Sequence, residues 1–449
     1  MKHDVKMKWW QLSLFGVGCI IGTGFFLGTS IAIRKTGPSI IIILFLAAVA
    51  TYLVFDGLAR MVAREPKKGA FRSYAQQAFG HWAGFCSGWV YWFSEVLIMG
   101  SQMTALSIFT KFWFPSVPLW IFACIYACLG LVILLIGVAW LNKLENLFAI
   151  IKVSAIVMFI IIALLGVFNV IDSSKPIKLT ESFNQFFAAG ISGFLSSMIF
   201  GFYAFGGVEV MGLLAIKLEK PKDAPKSGKI MLLILTFIYI LSIGLAVLMI
   251  NFKSFETDQS PFVTALEPFQ LNFVPHIFNG ALIIAGFSTM VASIYAVTTI
   301  LITLAEEGDA PKRFAKAGKL AVPIPAFLIT VFSLTASIVF SLLMPDKVYE
   351  YITTAAGLML IYNWIFILLS ARRLLSVGRL VKFSYLFGIM LIFVTVIGTL
   401  FSESSRPGFF ISIGFIVIIL VVMLFVRPRW KQNDNIKRSL FEKFQPTKS

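Results

Sequence analysis

The sequence predicts an all-α membrane protein with twelve spanning helices, the first and sixth of them discontinuous. Three observations predict it. The 449 residues are 59% hydrophobic and only 13% charged, with a mean hydropathy of +0.90, far more apolar than a soluble domain of this size requires. The apolar residues gather into twelve runs, at 12–33, 38–62, 83–111, 118–139, 145–168, 186–215, 230–251, 274–305, 323–344, 350–371, 382–401 and 409–426. Two of these runs, the first and the sixth, are interrupted by glycine at matching places, and no strand pattern appears.

Gly16, Gly18, Gly22 and Gly24 punctuate the first run; Gly201, Gly206 and Gly207 punctuate the sixth. Glycine relaxes helical backbone, so each run can unwind near mid-membrane and expose N–H and C=O groups. Bare backbone cannot face lipid, so it must line a cavity. Paired interrupted helices in two halves of a polytopic chain mark the midplane site of a secondary transporter. Interruptions in the first and sixth helices divide the chain into five helices (12–168), five more in inverted topology (186–371), and two extra (382–426).

The formal net charge of +17 does not point to nucleic acid, because the basic residues sit in short gaps between runs. With the N-terminus inside, 29 of the 38 Lys and Arg residues fall in inner segments, 8 in outer ones, and Lys152 inside a run. That bias places both termini in the cytoplasm. The organisation is then a cytoplasmic N-terminus (1–11), one transporter domain (12–426) and a basic, partly disordered cytoplasmic tail (427–449). The first run is too long for the apolar core of a cleavable signal and lacks a small-residue cleavage site, so it stays as a span. Ser260-Pro261 in the outer gap 252–273 predicts a short surface helix starting at Pro261. Cys19, Cys86, Cys124 and Cys128 lie in or near apolar runs with no His or further Cys to complete a metal set, and read as small buried hydrophobes.

Six stretches, in order, carry a family resemblance. Ile21-Gly22-Thr23-Gly24-Phe25-Phe26-Leu27-Gly28, followed by Gly37-Pro38, resembles the first-helix signature of amino-acid permeases of the amino acid–polyamine–organocation superfamily. Pro66-x-x-Gly69-Ala70-Phe71-x-x-Tyr74-Ala75 resembles the loop after the second helix, and Gly88-Trp89-x-Tyr91-Trp92 with Trp113-Phe114-Pro115 the third helix and its exit. Ala149-Ile150-Ile151-Lys152-Val153, Phe205-Gly206-Gly207-Val208-Glu209 and Leu304-Ala305-Glu306-Glu307-Gly308-Asp309-Ala310-Pro311-Lys312 resemble the fifth, the sixth and the end of the eighth. The match covers nearly the whole chain and is most similar to the bacterial amino acid transporter branch. The resemblance implies a five-plus-five inverted-repeat (LeuT-like) fold in the bacterial plasma membrane, secondary transport and an α-amino acid substrate.

An α-amino acid is a zwitterion. Its carboxylate calls for clustered N–H donors at a positive helix end, which the Gly22-Thr23-Gly24 break supplies. By analogy with the family, unwound carbonyls near Ile20, Phe202, Tyr203 and Phe205 accept the ammonium, and Gly206 completes the second break. Tyr203 and Phe205, flanking that break, are gate candidates against a background of ordinary packing, since Phe fills 46 positions.

Three charged residues inside runs are candidates for proton coupling. Lys152 lies within the fifth run, where a lysine costs roughly 2.5–3.5 kcal/mol on insertion scales. The bland reading is snorkelling towards the inner surface. The functional one is that removing an ammonium from water disfavours its charged form and permits proton exchange. In related proton-coupled permeases a lysine at this place stands where sodium binds in sodium-coupled cousins; Ser288 and Thr289 are its expected partners. Glu209 follows the second break and is either a structural tie or a proton-sensitive gate. Glu95 stands where relatives often carry an aromatic residue, and Gln102 where many carry Glu. Asp56, near the inner end of the second run, reads as structural. The chain departs from the pattern at Tyr295-Ala296-Val297-Thr298-Thr299 and at Ala215-Ile216-Lys217, which removes inherited gate contacts but leaves both breaks intact.

The expected function is proton-driven uptake of neutral, hydrophobic L-amino acids by alternating access, with the proton gradient rather than sodium as the driving ion and no cofactor. Apolar walls from the third, sixth, eighth and tenth helices favour such substrates, while Glu95 and Glu209 keep a cationic amino acid or polyamine in view. The alternatives are an amino-acid exchanger and a non-transporting sensor. An enzyme is not expected: His3, His81 and His276 show no catalytic spacing with Asp or Glu in the sequence.

Overall fold

The computed structural model describes residues 6–67, 69–136, 138–171, 186–271, 273–316, 322–344 and 347–443. Most of the outer gap 168–185, and Lys2, Lys68, Lys319 and Lys448 of the charge count, lie outside the described residues. Among the described residues the chain is helical, with a single β-bridge between Met7 and Leu218.

The first run splits into α1 (Trp9–Ile20), a widened π-helical turn (Gly24–Gly28) and α2 (Thr29–Thr36). Then come α3 (Ile40–Arg64), a short α4 (Phe71–Phe79), α5 (His81–Lys111), α6 (Leu119–Ile136) and α7 (Val138–Val167). The sixth run splits into α8 (Gly190–Ala204) and α9 (Val208–Ala215). The remainder is α10 (Ala224–Met249), α11 (Pro261–Leu266), α12 (Val274–Glu306), α13 (Ile324–Leu343), α14 (Val348–Leu374), α15 (Arg379–Gly398) and α16 (Arg406–Lys443). Ten helical stretches among the described residues are long and apolar enough to cross a membrane, the first of them joining the end of the first run to all of the second. Helix α5 is 31 residues long and carries the polar residues Glu95, Ser101 and Gln102.

Helix α5 packs along α12 and α14, and α16 lies against α5 and α14. The broken first run is held by α7 and α10 at its inner half and by α8 at its outer half. Glycine sets the closeness of these contacts. A Cβ on Gly18 would stand 2.3 Å from the Ala149 side chain of α7, so the α1 backbone touches α7 directly.

Three sequence expectations are corrected. The helix beginning at Pro261 is not at the surface: all six of its residues are buried, because Phe262 packs its ring against Phe25, Phe26 and Phe159 at 5.5, 6.0 and 4.6 Å. The tail does not become irregular at 427, since α16 continues to Lys443; Trp430 anchors it, its ring 4.3 Å from His81 and 5.3 Å from Phe85. Of the four cysteines only Cys86 is buried; Cys19 and Cys124 are half-buried, and Cys128 is exposed on the outer face of α6.

Polar clusters close the two ends of the bundle. At the end rich in Lys and Arg, Arg72 pairs with Glu307 and Asp309, His81 hydrogen-bonds Asp309 at 2.7 Å, and the Trp89 indole donates to the Asp309 carbonyl at 3.2 Å. Burial lowers the Arg72 guanidinium from its ordinary value, opposed by the charge of Asp309, and burial pushes the Tyr74 phenol up to about 12. Arg64 donates to the Leu374 carbonyl at 2.6 Å, and Met7 pairs through its backbone with Lys217 and Glu219 at 2.9 Å each. Asp56 accepts from Arg60 at 2.7 Å and from Tyr385 at 3.0 Å, a structural tie between α3 and α15. At the opposite end, Lys35 pairs with Glu350 and donates to Ser404 at 2.7 Å. Arg34 there donates to the Lys253 carbonyl.

Candidate functional site

The two breaks meet. The first run stops at Ile20, bends through Ile21, whose ψ of 107° is extended, and resumes as the π turn at Gly24. The Gly22 carbonyl accepts from the Phe25 and Phe26 amides at 3.0 and 3.2 Å. The N–H groups that open this outer half lack partners within the helix, as at any helix start, and carry the positive end of its dipole. The sixth run stops at Ala204, turns through Phe205 and Gly206, and resumes at Val208 after Gly207, whose φ of +101° only glycine adopts without strain. Opposed carbonyl and amide ends of this kind can hold both charges of a zwitterion.

Tyr203 joins the two breaks. A Cβ on Gly24 would lie 2.7 Å from its ring, so the ring rests on the Gly24 backbone, and its hydroxyl shares a 2.5 Å hydrogen bond with Ser101 of α5. The Thr23 hydroxyl donates to Gln102 at 2.5 Å, and the Thr23 carbonyl accepts from Tyr349 at 3.1 Å. The Gln102 amide and the Thr289 side chain stand 3.5 and 3.4 Å from where a Gly22 Cβ would be. Ile20 is buried and its side chain lies 3.7 Å from the Cβ position of Gly207, which brings the inner half of the first run to the second break. Gly206 packs on Leu360 of α14. The other two aromatic residues turn to different neighbours: the Phe205 ring is 5.0 Å from Tyr239 and the Phe202 ring 6.2 Å from Trp364.

Lys152 does not snorkel. It is 1% exposed, and its ammonium donates to the Gly18 carbonyl of α1 at 3.1 Å and to Ser288 of α12 at 3.3 Å. Gly18 is four residues before the first break, so this contact ties α7, α12 and the broken run together. The Thr289 hydroxyl turns back onto its own helix, donating to Gly286 at 2.9 Å and Ala285 at 3.2 Å.

The two candidate carboxylates have different surroundings. Glu209, fully buried in the first turn of α9, accepts from the Gly207 amide at 3.2 Å and from the Trp364 indole at 3.1 Å. Both partners are N–H groups, which only donate. Glu95 faces the hydroxyls of Tyr91 and Ser293, which donate or accept. Among the described residues no cluster of His, Cys, Asp and Glu could hold a metal ion.

A cavity of about 810 Å³ opens at the end poor in Lys and Arg, lined among others by Arg34, Lys111, Lys253, Asp258, Tyr349 and Glu350. Tyr349 connects it to the first break through its bond to Thr23. The residues that sequence reasoning missed are those that reach the breaks from afar: Tyr349, Ser101, Trp364 and Tyr239, which donates to the Ala204 carbonyl at 3.0 Å. Ser101 was legible as the neighbour of Gln102; the other three carried no local signal.

A family model described as amino acid permease matches residues 11–441. The chain is 51% identical to the uncharacterized transporter YcgH of Bacillus subtilis, over 96% of each chain. It is 30% identical to the aromatic amino acid transport protein AroP of Corynebacterium glutamicum over 81% of this chain and 80% of the relative. With AroP of Escherichia coli K12 it shares 28% identity over 94% of each.

Proposed function

Since the chain belongs to the amino acid permease family, and is a multi-pass membrane protein that transports amino acids, we propose that it takes up neutral, hydrophobic L-amino acids, aromatic ones among them, in symport with protons. The observation that carries this reading is the meeting of two broken spans beside a buried lysine. The outer half of the first run offers its amide end to a carboxylate, and the carbonyl ends at Ile20 and at Phe202–Phe205 face an ammonium. Leu360 packs on Gly206, while Leu106 lies with Thr23 against Gly286 of α12 and Ile199 with Tyr203 against Gly357 of α14, so the neighbourhood of the breaks is apolar. The aromatic class also draws on what the AroP relatives are named for.

Protons are favoured over sodium by the place of Lys152. Its ammonium already occupies the Gly18 carbonyl and the Ser288 hydroxyl, the kind of oxygens a bare cation would need. An ammonium there that releases and regains its proton changes the charge beside the first break once per cycle. Twelve spans, arranged as two inverted five-helix repeats and two further helices, with both termini in the cytoplasm, complete the reading. In its support, every residue lining the outer cavity comes from a segment or helix end that the charge count places outside, and the Arg72, Arg64 and Met7 contacts join segments it places inside.

Proteoliposomes containing the full chain test this. Labelled phenylalanine and leucine accumulate above equilibrium when an inward proton gradient is imposed, and reach only equilibrium when it is dissipated. Exchange that proceeds equally without the gradient would replace symport with antiport.

A further inference from the structure

Seven exposed lysines from two chain segments gather at the end rich in Lys and Arg. Lys6 and Lys8 precede the body of α1; Lys217, Lys220, Lys222, Lys226 and Lys229 run from the end of α9 into α10. Three contacts join the segments. The Met7 amide donates to the Lys217 carbonyl and the Glu219 amide to the Met7 carbonyl, at 2.9 Å each. The Lys226 ammonium lies 4.1 Å from the centre of the Trp9 ring. The Ser13 hydroxyl donates to the Ser227 carbonyl at 2.8 Å. Extended backbone turns successive side chains to opposite faces, so with Leu218 buried and Met7 half-buried, Lys6, Lys8, Lys217 and Glu219 face outward. Among the described residues none of the seven lysines is in an ion pair, and only Glu219 and Asp223 oppose them within these segments. The described basic residues of 60–72 are different: Asp56 holds Arg60, Glu65 holds Lys67, Glu307 and Asp309 hold Arg72, and the Leu374 carbonyl holds Arg64.

We propose that this lysine surface binds the phosphate of anionic phospholipid headgroups. Its depth fits them. Trp9 and Trp10 stand at the start of the first apolar run, Trp10 46% exposed, as tryptophan does where a span leaves the hydrocarbon. Lysines clustered at that depth attract acidic lipids, and the two tryptophans favour a lipid over a soluble acidic partner. Each ammonium is a compact charge with three donors, so several can share the oxygens of one phosphate. A headgroup that meets both Lys8 and Lys217 ties the first half of the first run to the second half of the sixth. The surface thus makes the halves beyond the two breaks responsive to the charge of the surrounding lipid.

Native mass spectrometry of the full chain in detergent tests this without reference to transport. The chain is titrated with phosphatidylglycerol or with phosphatidylcholine of the same acyl chains. The wild type is expected to hold phosphatidylglycerol at least about tenfold more tightly than phosphatidylcholine. Combining Lys8→Gln, Lys217→Gln, Lys220→Gln and Lys229→Gln removes most of that preference. Combining Lys312→Gln, Arg313→Gln, Arg372→Gln and Arg379→Gln leaves it unchanged, although these four are also exposed and basic. Equal affinity of the wild type for the two lipids, an unchanged preference in the lysine quartet, or an equal fall in the control quartet overturns the proposal. Displacement of bound phosphatidylglycerol by inorganic phosphate also overturns it, and assigns the lysines to a free anion instead.

Discussion

A Lys152→Gln chain is expected to lose gradient-driven accumulation while retaining exchange of substrate across the membrane. Glutamine keeps a donor for the Gly18 carbonyl and the Ser288 hydroxyl, so the packing of α7 against α1 and α12 survives. It cannot take up or release a proton near neutral pH. Concentrative uptake therefore falls by at least about tenfold, equivalent to about 1.4 kcal/mol, and becomes insensitive to the imposed gradient. Lys152→Ala goes further, because it also leaves a void and unmatched oxygens at a buried site. The measurement is uptake against counterflow in the same vesicles. Full accumulation by Lys152→Gln would reduce the lysine to a packing role, and equal loss of uptake and counterflow would make it a structural one.

Gly24→Ala is expected to stop transport through sterics alone. The added methyl would stand 2.7 and 2.9 Å from two ring carbons of Tyr203 and 3.3 Å from its carbonyl oxygen. The ring cannot swing aside freely, because its hydroxyl is held by Ser101, and the backbone oxygen would have to move by a few tenths of an ångström, carrying its own run with it. Overpacking of this kind costs about 1–3 kcal/mol, and the relief open to it is separation of the two broken runs at the place where the zwitterion must bind. Uptake should fall at least about tenfold, by the same arithmetic that relates 1.4 kcal/mol to a factor of ten. Gly280→Ala in α12 is the matched control, since a Cβ there meets nothing within 4 Å. Uptake by Gly24→Ala equal to that of Gly280→Ala would show that Tyr203 and Gly24 need not approach.

The breaks were legible because they are local. Glycine at 22, 24, 206 and 207 within runs too apolar for solvent marks an interrupted helix without tertiary information. Lys152 was legible for the same reason, as a charge with apolar neighbours on both sides, whereas its partner was expected only through the family resemblance, which offered Ser288 and Thr289 and of which the fold uses Ser288. What stayed hidden depends on which helices touch. Tyr349 reaches Thr23 across 326 positions, Trp364 reaches Glu209 across 155, and nothing near either residue announces its target. His81 lacked an acidic neighbour in sequence, yet the fold brings it Asp309 from 228 residues away. The helix at Pro261 was found by its proline and misplaced at the surface, because its burial is set by rings from two other helices. Helix α16 outlasts its apolar run because Trp430 finds a seat on His81 and Phe85, a contact that hydropathy does not register.

Competition against labelled phenylalanine is the most direct measurement of whether main chain at the two breaks holds a zwitterion. Unlabelled phenylalanine should displace the label, whereas phenethylamine, without the carboxylate, and 3-phenylpropionate, without the ammonium, should fail at concentrations at least about a hundredfold higher, as expected when each lost charge forfeits hydrogen bonds worth about 1.5–3 kcal/mol. Displacement by either analogue as readily as by phenylalanine itself would contradict the account.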